Sequence, residues 1–117
     1  MTHKDWRVRV EDMLEAIDRI SSYVDGMSTK EFIADARTQD AVLRNLEVLG
    51  EASKRVPLPI QHRHTDVPWS RIADMRNILV HEYHSVDAEI ILAAARHDLP
   101  PLVTPLRAIL ADAGVEA

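Results

Sequence analysis

The sequence has no cysteine. Disulfide scaffolds, thiolate zinc sites and cysteine nucleophiles are excluded together, and the composition fits a reducing, cytoplasmic setting. Glycine is scarce at three residues. No glycine-rich phosphate loop or serine triad can be assembled from what remains. No apolar run approaches the roughly 20 residues needed to span a bilayer, so no membrane association is expected. The stretch from Met1 to Trp6 is polar and charged, and no secretory leader is expected. An excess of positive charge is also missing. Fourteen Lys and Arg stand against nineteen Asp and Glu, for a formal net charge of −5. Counterion release favours basic surfaces on nucleic acid, so this balance argues against broad, non-specific binding but leaves room for a local basic cleft.

The 117 residues are 46% hydrophobic and 28% charged, which suits one globular domain spanning residues 1–117. Apolar residues recur at helical steps. Trp6, Val10, Met13, Leu14, Ile17 and Val24 mark a first amphipathic helix from about Asp5 to Asp25, with Gly26 as its stop. Ser28 and Glu31 form a capping box for a short helix through Phe32 and Ile33. A longer helix after Thr38 carries Val42, Leu43, Leu46, Leu49 and Val56 and ends at Pro57 and Pro59. Residues 57–67 read as a polar loop with one short helical turn. Pro68 and Trp69 open a helix with Ile72, Met75, Leu79 and Val80. Asp87 caps another that holds Ile90, Ile91 and Ala94. The last helix begins near Pro100 or at Thr104–Pro105 and ends before Gly114. No alternating strand pattern competes. The expected fold is all-α, an antiparallel helical bundle with long first, third and fourth helices.

The chemistry concentrates between Met75 and Tyr83. At about 100° per residue, Arg76 falls in the middle of the apolar arc made by Ile72, Ala73, Leu79, Val80 and Tyr83. A guanidinium there is costly unless it is paired or opens onto a cleft. Asn77 and His81 stand four residues apart on the polar flank, within reach of each other. Arg76 and His81 diverge by about 140° on an ideal helix. Both can address one phosphate only if the helix loosens near His81 or a second subunit completes the site. Such a pair suits phosphodiester cleavage without a metal. The imidazole takes the proton of a ribose 2′-hydroxyl and returns one to the leaving oxygen. The guanidinium stabilises charge building on the phosphate, and Asn77 orients the ring or donates to phosphate. RNA carries the required hydroxyl and DNA does not.

Spacing alone leaves plainer readings open. Arg76 can pair with Glu47, Glu51 or Asp74, and His81 can be a helix-end residue favoured by the dipole. Tyr83 can be a core residue with a wet hydroxyl. Gly50, inside a helix, marks close helix approach or room beside a cleft for Glu51, which is itself a supporting residue for the site or a partner of Arg55 or Arg76. His62, His64, His81 and His84 lack the companion ligands of a metal centre and read as exposed; no metal or other cofactor is expected.

The sequence resembles the HepT-like branch of the HEPN superfamily. Arg76, His81 and Tyr83 match its Arg-x4-His-x-Tyr motif. Around them, Thr38–Val42, Arg44–Glu47, Gly50–Ala52, Val67–Trp69, Met75–Asn77, Val80–Tyr83, Asp98–Pro100 and Leu102 follow the family pattern in order, over most of the chain. The resemblance implies an HEPN-like four-helix core with a short extra helix. It implies a toxin of a toxin–antitoxin system, a homodimeric, metal-independent endoribonuclease acting on RNA, tRNA included, with Arg76 and His81 as catalytic residues. It further implies a minimal nucleotidyltransferase antitoxin that transfers AMP to Tyr83. A bulky nucleotide beside His81 would block the cleft and repel an RNA phosphate. A catalytically inactive helical partner of the same nucleotidyltransferase is the alternative.

Overall fold

A computed structural model describes the backbone of residues 5–81 and 87–116, and the side chains of residues 5–75 and 87–112. All regular elements among these residues are helical: α1 (Trp6–Val24), α2 (Thr29–Ile33), α3 (Ala36–Lys54), α4 (Leu58–Arg63), α5 (Trp69–His81), α6 (Ala88–Ala93) and α7 (Val103–Glu116), with a π turn at Ala94–Asp98 and a 3₁₀ turn at Pro100–Leu102 before α7.

The two 19-residue helices, α1 and α3, form the spine. On α1, Val10, Met13, Ala16, Ile17, Ile20 and Val24 are buried at three- and four-residue steps, the stripe that a core-facing helix requires. On α3, Val42, Leu46 and Leu49 meet it. Arg9 shares a groove with Arg55, and Arg19 shares the adjoining one with Arg44 and Asn45. The low end of α1 therefore meets the high end of α3, and the two run antiparallel. α5 packs on α3 and α7 packs on α1. The expected four-helix core is therefore α1, α3, α5 and α7. Three short helices surround it: α2, the expected helix after Asp87 (α6), and α4, which occupies much of the segment read as a polar loop with one helical turn.

Caps set the boundaries. Asp5 accepts from the Arg7 amide at 2.9 Å. The Ser28–Glu31 box is formed in both directions, at 2.8 and 3.0 Å. Helix α3 starts at Ala36, two residues before Thr38, because Asp35 is its cap: Oδ1 accepts from the Thr38 amide at 3.0 Å and Oδ2 from the Thr38 hydroxyl at 2.7 Å. Gln39 Nε2 donates to the carbonyls of Phe32 and Ile33 at 2.9 and 3.0 Å. That locks α2 onto the start of α3, with Phe32 wholly buried.

Three further expectations are corrected. α7 continues through Gly114 to Glu116. Of the two isoleucines placed together on the helix after Asp87, Ile91 is buried but Ile90 is 64% exposed. His64 is half-buried rather than exposed: its carbonyl accepts from Trp69 Nε1 at 3.0 Å and its imidazole lies 3.9 Å from Asp112. The side chains of the expected core positions Leu79 and Val80, and Tyr83 altogether, lie outside the described residues.

Candidate functional site

Helix α5 opens at Trp69 directly after Pro68, where the fixed φ of proline suits a first turn. Ile72 is 2% exposed and anchors the helix in the core, and Met75 packs half-buried at the edge of that core. The backbone stays α-helical without a break through His81. The loosening expected near His81 is therefore absent up to that residue. On this regular helix Arg76 and His81 are separated by about 7.5 Å along the axis and about 140° around it. The side chains of Arg76, Asn77 and His81 lie outside the described residues, as do Tyr83 and His84 altogether.

Glu51 sits half-buried on α3, the helix that α5 packs against. It lines a groove of about 330 Å³ between α1 and α3 together with Arg9, Asp12, Arg44, Glu47 and Arg55. Charge of both signs is thus interleaved on this surface. Arg9 reaches Asp12 at 3.8 Å. Gly50, one residue before, is buried on the same helix, in keeping with close packing rather than with an open cleft. Its carbonyl accepts from the Ser53 hydroxyl at 2.8 Å.

Beside α5, two adjoining cavities of about 440 and 320 Å³ run between it and the α6–π-turn segment. Arg71, Met75 and Asp98 border both. The larger has an apolar floor that includes Leu46 and Ile91, and Ile90 stands at its mouth. Sequence reading missed Arg71 and Asp98. The available signal was the i, i+4 spacing of Arg71 and Met75, which places a cation on the same helical stripe as that half-buried residue.

The π turn shapes this flank. Leu99 N–H bonds to the Ala94 carbonyl at 3.1 Å, five residues back. Pro100 and Pro101 offer no N–H to the carbonyls of Arg96 and His97, so an ordinary α-helix cannot continue there. The wider turn carries Asp98 to the groove. Among the described residues no three His, Asp or Glu side chains are grouped as metal ligands would be, and no helix is long and apolar enough to cross a membrane.

Known proteins bear on this arrangement. The family described as "Ribonuclease HepT-like" matches residues 13–109, a span that begins within α1, contains α3 and α5 whole, and closes at the buried Ile109 of α7. "Probable ribonuclease HepT" of Thermococcus cleftensis is 38% identical over 101 residues, 86% of this chain and 89% of that protein. A "Putative RNase" of Methanocaldococcus jannaschii is 35% identical over 112 residues, 96% and 93% of the two chains. Another, from Caldanaerobacter subterraneus, is 35% identical over 104 residues, 89% and 93%. No solved structure matches. A match that takes in both spine helices, the motif helix and the end of the core, joined to relatives of this identity over nearly their whole length, leads to one statement: the chain belongs to the HepT-like ribonuclease family.

Proposed function

We propose that the protein is the toxin of a toxin–antitoxin pair and cleaves RNA through Arg76 and His81. The observation that carries this reading is that the Arg-x4-His pair falls on α5, inside the family match. His81 acts as general base on the ribose 2′-hydroxyl, which attacks the adjacent phosphorus. The 5′-oxygen leaves with a proton from the imidazolium. The products are a 2′,3′-cyclic phosphate and a 5′-hydroxyl. Arg76 stabilises the charge that accumulates on the phosphoryl oxygens, and Asn77 orients the imidazole. No step requires a metal. Glu51, on the neighbouring α3, supports the site from behind.

A straight helix through His81 keeps the two groups on different faces, which favours a homodimer in which each cleft draws on both copies. The antitoxin is a nucleotidyltransferase that adds AMP to Tyr83, and the system works in the cytoplasm as a single-domain protein. Purified protein should cut RNA in excess EDTA, with His81→Ala and Arg76→Ala each slower by about a hundredfold or more. Equal cutting by wild type and His81→Ala overturns the assignment. Intact mass after co-expression with the neighbouring nucleotidyltransferase should show an adenylyl adduct on Tyr83. An unmodified Tyr83 removes that part of the reading.

A further inference from the structure

The negative charge of the chain is not spread evenly along it. No Asp or Glu occurs between Glu51 and Asp66, and that stretch holds Lys54, Arg55 and Arg63. The other eleven Lys and Arg stand against all nineteen Asp and Glu. Taken together, the rest of the chain offers a polyanion no net attraction, and this stretch does. The fold gathers its three cations at one corner. Lys54 is the last residue of α3, Arg55 caps that helix, and Arg63 is the last residue of α4. Gln61 Nε2 donates to the carbonyls of Val56 at 2.8 Å and Ser53 at 3.4 Å. These bonds fold α4 back on the end of α3, so His62 and Arg63 directly follow a residue that touches the peptide joining Ser53 to Lys54. Trp69 Nε1, bonded to the His64 carbonyl at 3.0 Å, fastens the corner to the first turn of α5.

Lys54, Arg55, His62 and Arg63 are all exposed. Among the described residues Lys54 and Arg55 form no ion pair and no side-chain hydrogen bond. Acids lie at the edges of the corner. Half-buried Glu51 is one turn before Arg55, in the groove that Arg55 shares with Arg9, Asp12 and Glu47, and Asp112 stands 3.9 Å from the His64 imidazole. A stable protein interface needs an apolar core, and the one large apolar side chain exposed on this stretch is Leu58, between Pro57 and Pro59. A phosphate backbone asks for less: positive charge in no fixed order, with the affinity drawn from released counterions. The helix dipole also favours Lys54 and Arg63, each in the last turn of its helix. That role sets stability and leaves the salt dependence of RNA binding untouched.

We propose that the corner between α3 and α4, through Lys54, Arg55 and Arg63, is the surface that holds the phosphate backbone of the RNA substrate. The inference rests on the ribonuclease reading and deepens it, by giving an acidic chain a source of RNA affinity. Because the contact is to phosphate, it carries no base preference.

Fluorescence anisotropy with a labelled 2′-O-methyl oligoribonucleotide reads binding without cleavage, since the attacking hydroxyl is blocked. Each cation that meets a phosphate of a single strand adds about 0.7 to the slope of log affinity against log salt. Lys54→Gln, Arg55→Gln and Arg63→Gln together should therefore lower the slope by about two and weaken binding about a hundredfold at about 0.1 M salt, whatever the base sequence. Each substitution alone should take about 0.7 from the slope, which decides the matter if circular dichroism shows the triple variant unfolded. A control that loses three exposed charges elsewhere, Arg19→Gln with Arg37→Gln and Arg107→Gln, should keep the wild-type slope. An equal loss in that control overturns the surface, because total charge would then be all that matters. A wild-type slope in the triple variant also overturns it. In cleavage, the triple variant should raise KM while kcat stays within about twofold; a lower kcat at unchanged KM overturns the proposal. If the wild type cuts no RNA, the ribonuclease reading fails by itself, and the anisotropy measurement still decides the surface. A triple variant that binds RNA as the wild type does, but no longer co-purifies with a co-expressed nucleotidyltransferase, makes the corner a protein contact and overturns the proposal.

Discussion

Arg96, on the π turn, donates from Nη2 to the carbonyl of Val24, the last residue of α1, at 3.0 Å, and also to the carbonyl of Met27. Seventy-two residues separate Arg96 from Val24. The guanidinium closes the carbonyl end of α1, where backbone acceptors lack helical partners and the dipole favours a cation. Removing it takes a donor from both: the Val24 carbonyl keeps only the Met27 amide, at 3.1 Å, and the part-buried Met27 carbonyl loses its guanidinium bond. Arg96→Ala should therefore destabilise the fold by about 2 kcal/mol, read as a lower urea midpoint with an unchanged slope. Arg96→Lys should recover only part of this: both bonds come from the one terminal nitrogen, Nη2, and an ammonium on a shorter stem is more strongly hydrated and costs more to hold there. A midpoint equal to wild type in Arg96→Ala would show that this link contributes nothing.

Gly26 tests the same corner from the backbone side. Its φ is +74°, the one left-handed value among the described residues, and a Cβ built there meets nothing within 4 Å. The cost of Gly26→Ala is then purely conformational, about 1 kcal/mol, and the Ser28–Glu31 cap should survive. A loss several times larger in thermal unfolding would mean that the turn is coupled to packing that the open surroundings do not suggest.

The start of α3 carries a pH signature. The Asp35 carboxyl is held below its ordinary value, first by the hydrogen bond from the Thr38 amide and then by that from the Thr38 hydroxyl. Glu31 is likewise lowered by the backbone and side chain of Ser28. Folded values below the unfolded ones mean that this stabilisation is complete above the ordinary carboxylate range and fades as pH falls through the lowered values. Both caps should therefore weaken in acid, and neither should change between pH 6 and 8. Thr38→Val deletes the hydroxyl but keeps the amide, so the Asp35 titration followed by carboxyl NMR should move only part of the way back. A full return to the ordinary value would show the hydroxyl, not the amide, to be the main cause.

The spine of the fold was legible because its signals are local. The three- and four-residue steps of α1 and α3, the Ser28–Glu31 box and Asp87 at α6 each need only a few neighbouring residues. The Asp35 cap was read too late because Thr38, a good cap by type, spends its hydroxyl on Asp35 instead. The hidden features depend on contacts distant in sequence. Nothing near Arg96 announces that it serves α1, and the π turn follows from two prolines acting on carbonyls of the preceding turn. Ile90 fits the helical period as well as Ile91 does, and only the placement of α6 leaves one exposed and the other buried. At the candidate site, sequence supplied the Arg76–His81 pair and the angle between its members. It could not show that Arg71 and Asp98 border the same cavities, because one sits on α5 and the other on a turn beyond α6.

That angle decides the last prediction. If each cleft takes Arg76 from one copy and His81 from its partner, inactive variants should complement each other. A heterodimer of Arg76→Ala and His81→Ala subunits has one cleft with both defects and one with neither. Random exchange makes half of all dimers heterodimers, so an equimolar mixture should regain about a quarter of wild-type activity under two-fold symmetry. Each variant alone should stay inactive, and the recovered rate should follow subunit exchange. If both groups of a cleft come from one chain, every cleft in the mixture carries a defect and no activity returns. A mixture that stays inactive after demonstrated exchange would require the helix to turn His81 toward Arg76 within one protomer. Recovery at about a quarter would establish that the site forms only when two copies meet.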